Sequence, residues 1–171
     1  MAERLLASTN QMRLSTAVFL TVVVLIVLVL ITTSGFLLSQ GLSARNKPSN
    51  FEYAIANRAL AISIPSNAKT AQNPLQQTSD ILTGAKKEFV DHCAVCHAED
   101  GSGKTETARG MSPEVPDLHA DHIQKLTDGE LFYIIKNGVR FTGMPAWDFP
   151  DDRIWSLVAL IRELPKSYPT K

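Results

Sequence analysis

The chain is poor in cysteine, with 2 in 171 residues, and it carries no net charge, 17 Lys and Arg facing 17 Asp and Glu. It also lacks any sustained alternation of apolar and polar residues, any internal repeat and any low-complexity block. Each absence removes something. Two thiols cannot supply the four ligands of a structural zinc ion, and the obvious histidines to complete the set, His119 and His122, have only two residues between them where three to five are usual. Without strands there is no βαβ setting in which Cys-x-x-Cys serves as a thiol–disulfide pair. From Gln76 to the end, 11 Lys and Arg stand against 15 Asp and Glu, a net of −4. So acidic a region does not offer the basic face that nucleic acid requires.

Charge is missing altogether between Arg13 and Arg45, where Ala17 to Leu38 reads AVFLTVVVLIVLVLITTSGFLL. As a helix this run is roughly 33 Å long, enough to cross the hydrocarbon core of a bilayer. A cleaved signal peptide is the competing reading, because small residues follow at Ser39, Gly41, Ser43 and Ala44. Secretory apolar cores usually run only about 7–15 residues, which favours a retained anchor. Arg4 and Arg13 on one flank match Arg45 and Lys47 on the other, so the count of basic residues leaves the orientation open.

The segment 39–79 is rich in Ser, Asn, Gln, Ala and Thr, with Pro48, Pro65 and Pro74 scattered through it, and it reads as a flexible linker. Fully flexible, it spans roughly 35 Å root-mean-square. Phe51, Tyr53 and the patch Ala59 to Ile64 are the parts of it expected to dock. Three helices follow. The first runs from about Ile81 to His92 and carries Leu82, Phe89 and Val90. The second opens on Thr127-Asp-Gly-Glu130, a capping box framed by Leu126 and Leu131, turns Leu131, Phe132, Ile134 and Ile135 inward, and stops at Asn137-Gly138. The third starts at Asp151 or Asp152 and continues to Pro165. Three helices and long loops over 98–126 and 139–150 make a thin core, one that a buried cofactor would complete.

Both cysteines lie in DHCAVCHAED, Asp91 to Asp100. Cys-x-x-Cys-His is the signature of covalent haem attachment: each thiol adds to a vinyl group and the adjacent imidazole coordinates the iron. The other side of the iron then needs a ligand. Met144 sits in NGVRFTGMPAW, where Gly138 and Gly143 allow close backbone approach and Pro145 fixes the chain direction. Met111 is the alternative ligand, and core packing the alternative role for Met144. A thioether opposite the imidazole favours Fe(II) and leaves no place for a substrate.

From Ser79 to Leu164 the sequence resembles the class I mono-haem c-type cytochromes, especially the small bacterial type held by an N-terminal membrane segment. The resemblance rests on FVDHCAVCH, VPDL at Val115 to Leu118, TDGELFYIIKNGVRFTGMPAW and DDRIWSLVALIREL. It implies an all-α fold, three main helices around one covalently bound haem c, preceded by one transmembrane helix. The division it implies is a short cytoplasmic N-terminus over 1–13, an anchor over 14–38, the linker over 39–79 and the haem domain over 80–171. It further implies thioether bonds at Cys93 and Cys96, axial ligation by His97 and Met144, and a Pro116 carbonyl accepting the Nδ1 proton of His97. Leu118, Tyr133, Arg140, Phe141 and Trp147 are expected around the haem, Trp147 over its edge. Ala85 and Trp155 are expected where the first and last helices cross. Two positions depart from many relatives, which have glycine in place of Ala98 and of Ala85. Arg109 and Arg140 are candidates to neutralise the propionates, with a solvated surface role the alternative for each.

The function so implied is one-electron transfer, without an active site, between redox proteins in or at the membrane of a respiratory chain, the lipid bilayer being engaged through 14–38. The resemblance places the haem domain on the periplasmic, outer side of a bacterial cytoplasmic membrane crossed once. Two other readings stay open: a gas sensor or small-ligand enzyme whose Met144 leaves the iron, and a fixed electron-transfer subunit of a larger complex. GSGKT, Gly101 to Thr105, imitates the end of a phosphate-binding loop but has Ala98 where glycine is needed and no strand leading in, so no nucleotide is expected. His92, His119 and His122 are expected as exposed loop or helix-end residues.

Overall fold

Every regular element among the described residues of the computed structural model, 2–39 and 46–167, is helical. The chain divides into two compact units, Met1–Asn46 and Lys47–Lys171. In the first, α1 runs over Ala2–Ser39, and its stretch Ser15–Ser39 is apolar and exposed along its length, long enough to cross a membrane. The hydroxyls of Thr21, Thr32 and Thr33 within it are absorbed by the helix itself. Thr21 donates to the Ala17 carbonyl at 2.9 Å and Thr33 to that of Val29 at 2.7 Å, so they present no unmet donor to hydrocarbon. This is compatible with a single-pass anchor.

The second unit is built on α4 (Ser79–Glu88), α7 (Asp128–Asn137) and α8 (Asp151–Ser167). Ile154, Leu157, Val158, Ile161 and Leu164 recur at helical spacing along α8 and are all buried against Ala85, Phe89, Leu131 and Ile135. Ala85 is 1 % exposed, and the methyl side chain there lets α4 lie close on α8. Trp155 packs at the margin of this core, stacked on Phe132 with ring centroids 4.3 Å apart. The capping box expected at α7 is present: Thr127 Oγ1 accepts from the Glu130 N–H at 3.2 Å, and Glu130 accepts from the Thr127 N–H at 2.8 Å. The helix ends on Gly138 at φ 66, as its sequence predicts. α8 continues two residues beyond the stop expected at Pro165, since a proline near the end of a helix forfeits only one backbone bond.

Two segments differ from expectation. The stretch 39–79, expected as a flexible linker, contains α2 (Asn50–Ser63) and α3 (Ser66–Thr70). α2 starts on a complete capping box in which Ser49 and Glu52 satisfy each other's backbone N–H groups, and α3 packs on α7. The long loop over 98–126 carries a 3-10 turn at Ala108–Gly110 and α6 (Asp121–Gln124). Arg162 of α8 holds this region: its guanidinium donates to Asp128 Oδ1 at 2.9 Å, to the Gln124 carbonyl at 2.9 Å and to the Leu126 carbonyl.

Candidate functional site

The helix begun by α4 does not run smoothly into CAVCH. At Phe89–Cys93 it widens into a π-turn, the Ala94 N–H reaching back five residues to the Phe89 carbonyl, and then tightens again into α5 (Ala94–His97). One extra residue in the turn rotates everything after it by about 100° relative to α4. Phe89 thereby stays in the core while Cys93, Cys96 and His97 all face one cavity.

That cavity measures about 430 Å³ and is mainly apolar, with Leu118, Leu131, Ile135, Leu157 and Ile161 among its walls. Burial pushes the Cys93 thiol up to about 11. Burial also lowers the pKa of His97, against an opposing pull from the Pro116 carbonyl. At neutral pH the site therefore offers a protonated thiol at Cys93 and an uncharged imidazole, the form of histidine that binds a metal. Nδ1 of His97 is buried; the Pro116 carbonyl is near enough to raise its basicity though outside the geometry of a full hydrogen bond, and no other partner stands there among the described residues. Two backbone bonds bring Pro116 there: the Gly103 N–H donates to the His97 carbonyl at 2.8 Å, and the Leu118 N–H to that of Gly101 at 2.9 Å. An apolar cavity lined by two cysteines and a neutral histidine fits a covalently held haem.

Met144 reaches the same cavity from the loop between α7 and α8. Its N–H donates to Thr142 Oγ1 at 3.1 Å and its carbonyl accepts from the Val139 N–H at 3.2 Å. A Cβ at Gly138 would lie 2.6 Å from the Ala146 nitrogen, so only glycine lets the loop fold back this tightly. Met111 also lines the cavity, with its sulfur packed against Gly143. Trp147 lines it too, stacked on Phe149 at 5.0 Å and tilted against His92 at 5.3 Å.

Three residues expected at the haem lie outside the lining. Phe141 is 92 % exposed at φ 62, with the Arg140 guanidinium over its ring, so both point to solvent. Tyr133 falls on the face of α7 opposite Leu131, Ile134 and Ile135, the residues that line the cavity. His119, expected in solvent, is instead 7 % exposed in its side chain and bonded through Nδ1 to Asp117 at 2.6 Å. Sequence reasoning expected Phe51, Tyr53 and Ala59 to Ile64 to dock but missed that the segment is a helix and where it docks: Phe51 is exposed, while Tyr53, Asn57, Leu60, Ala61 and Ile64 join the lining. Their i, i+4, i+7, i+8, i+11 spacing behind a Ser49–Glu52 cap was the available signal.

Residues 82–161 match the family model described as cytochrome c oxidase, cbb3-type, subunit III. Residues 82–161 are a class I cytochrome c domain. Such a domain implies covalently bound haem c and, with it, haem-based electron transfer. Among solved structures, this cytochrome is similar to a chain of the Kuenenia stuttgartiensis reducing HAO-like protein complex, at 20% identity and TM-score 0.49. The similarity covers 53% of this chain and 46% of that one, so the cytochrome spans less than half of its length. No curated protein matches the sequence.

Proposed function

We propose that this cytochrome is a membrane-anchored one-electron carrier of a respiratory chain, with Cys93 and Cys96 as the thioether positions and His97 and Met144 as the axial ligands. The observation that carries this is the convergence of those four side chains, from two separate elements, on one apolar cavity. When bound, haem supplies an iron that takes up and gives back one electron. The chain's own residues do the rest. His97 is kept neutral by burial and aimed by the Pro116 loop, and Met144 is held by Thr142 and Val139 in a loop too tight to drift. Met111 lines the same cavity with its sulfur beside Gly143, and is the alternative ligand that absorption spectra separate from Met144. Leu118 and Trp147 contribute apolar wall, which favours the reduced iron by keeping water away.

The uncharged stretch Ser15–Ser39 supports residues 14–38 as the anchor; that the haem domain lies on the outer, periplasmic side of a bacterial cytoplasmic membrane rests on the resemblance alone. The partners so implied are redox proteins in or at that membrane. A second reading, a fixed subunit of an oxidase, is favoured by the family's description. Detergent extraction and sizing separates the two: a free carrier migrates alone, a subunit does not.

Absorption spectra test the ligation. The oxidised protein is expected to show a far-red sulfur-to-iron band, and the reduced protein to ignore carbon monoxide. Met144→Ala should abolish the band and admit carbon monoxide, whereas Met111→Leu should keep the band. The opposite pattern would transfer the ligand role to Met111, and a wild-type protein that binds carbon monoxide freely would favour sensing or catalysis.

A further inference from the structure

Helix α2 lies outside the matched residues 82–161, yet one of its faces is part of the haem cavity. Tyr53, Asn57, Leu60, Ala61 and Ile64 fall within about 100° of one another around the helix and all line that cavity. Ile64, at the end of the stripe, is 3 % exposed, while Phe51 and Ile62 on the opposite face are 73 % and 68 % exposed. The placement is fixed at both ends. Lys47 pairs with Glu114 at 2.5 Å, in the loop that carries Pro116. Beyond α2, the Gly129 N–H donates to the Ala71 carbonyl at 3.1 Å, and Asn73 Nδ2 donates to the Trp155 carbonyl at 2.8 Å. α3 comes so close to α7 that a Cβ on Gly129 would stand 1.8 Å from the Ala68 oxygen. Glycine inside a helix costs about 1 kcal/mol relative to alanine, so its presence there marks a contact that a methyl group would destroy.

We propose that α2 is a wall of the haem cavity, supplied by the segment ahead of the cytochrome domain, and that it keeps water and small ligands from the iron. This rests on the cavity being the haem site. Removing water from one side of a haem disfavours the more highly charged oxidised state, so the wall raises the reduction potential. It also closes a route by which a small ligand would reach the iron.

Gly129→Ala tests this in the full-length holoprotein, because alanine strengthens α7 while its methyl group expels the Ala68 carbonyl. Hydrogen exchange over 50–70 is expected to accelerate while α7 stays protected. The potential is expected to fall, and, with Met144→Ala added so that the iron admits carbon monoxide, binding of that ligand to the reduced protein is expected to quicken. Leu60→Ala, which thins the wall without touching α3, should move potential and carbon monoxide reactivity the same way, and Ile62→Ala, on the outer face, should move neither. The proposal fails if 50–70 exchange freely in the wild type. It fails equally if Gly129→Ala releases α2 with potential and reactivity unchanged. If Gly129→Ala does not fold, Leu60→Ala against Ile62→Ala decides. A wild type without the far-red band would overturn Met144 as ligand but leave the exchange and potential tests of α2 intact.

Discussion

Ala98, directly after the haem-motif histidine, adopts φ 62 and ψ 159, a region that is essentially reserved for glycine and costs other residues about 1–3 kcal/mol. Its N–H still closes α5 on the Ala94 carbonyl at 2.8 Å, and the next bonds of the loop depend on that turn. Ala98→Gly is therefore expected to stabilise the holoprotein by about 1 kcal/mol, the relief of strain being partly offset by the freer unfolded chain. A higher denaturant midpoint at unchanged slope would show it, and an unchanged or lower midpoint would mean that the surroundings already absorb the strain. The sequence marks Ala98 as a departure from many relatives but cannot show that its backbone is the one feeling it. Cys93, Cys96, His97 and Met144 stand out in the sequence because residue type and spacing carry the haem chemistry proposed for them, and the structure brings all four to one cavity. Phe141 was misplaced for the converse reason: neighbours in a motif share a loop, and a positive φ at that residue turns its ring outward.

Among the elements, α4 was legible from its apolar positions alone, and α7 and α8 because each combines an apolar period with a start or stop signal, the Thr127–Glu130 box and Gly138 being the clearest. The π-turn at Phe89–Cys93 left no such trace, since apolar spacing over five residues cannot distinguish one extra residue in a turn. Arg162 was equally hidden. A basic residue in a helix reads as solvated surface, whereas here it is the clamp by which α8 holds the α6–α7 connection through Asp128 and two carbonyls. Arg162→Met keeps the apolar stem and removes the charge, leaving both carbonyls and Asp128 without their donor. It is expected to cost about 2–3 kcal/mol in denaturant unfolding, with faster hydrogen exchange over 121–130 before the rest of the domain opens. A cost under about 0.5 kcal/mol would show that water replaces the guanidinium.

For the molecule as a whole, the acidic balance of the chain from Gln76 onward predicts how it meets small redox reagents. Oxidation of the reduced protein by a cationic metal complex should slow as salt is added, and oxidation by an anionic one should quicken, the two rates converging once the screening length drops below about 8 Å. Like responses to salt would mean that the charge near the haem edge differs from the average of the domain. Sequence composition supplied that average correctly but placed the division between tether and domain too late. Ser, Asn and Gln in 39–79 resemble a linker until the Ser49 cap and the stripe behind it are read together with Gly129, eighty residues further on. The hydrogen atom that stands for a side chain at Gly129 has a practical outcome for domain grafting. A haem domain moved onto a foreign anchor has its natural joint before Lys47; cut at Ser79, it would leave Gly129 and the Trp155 carbonyl facing solvent and the cavity short of one side.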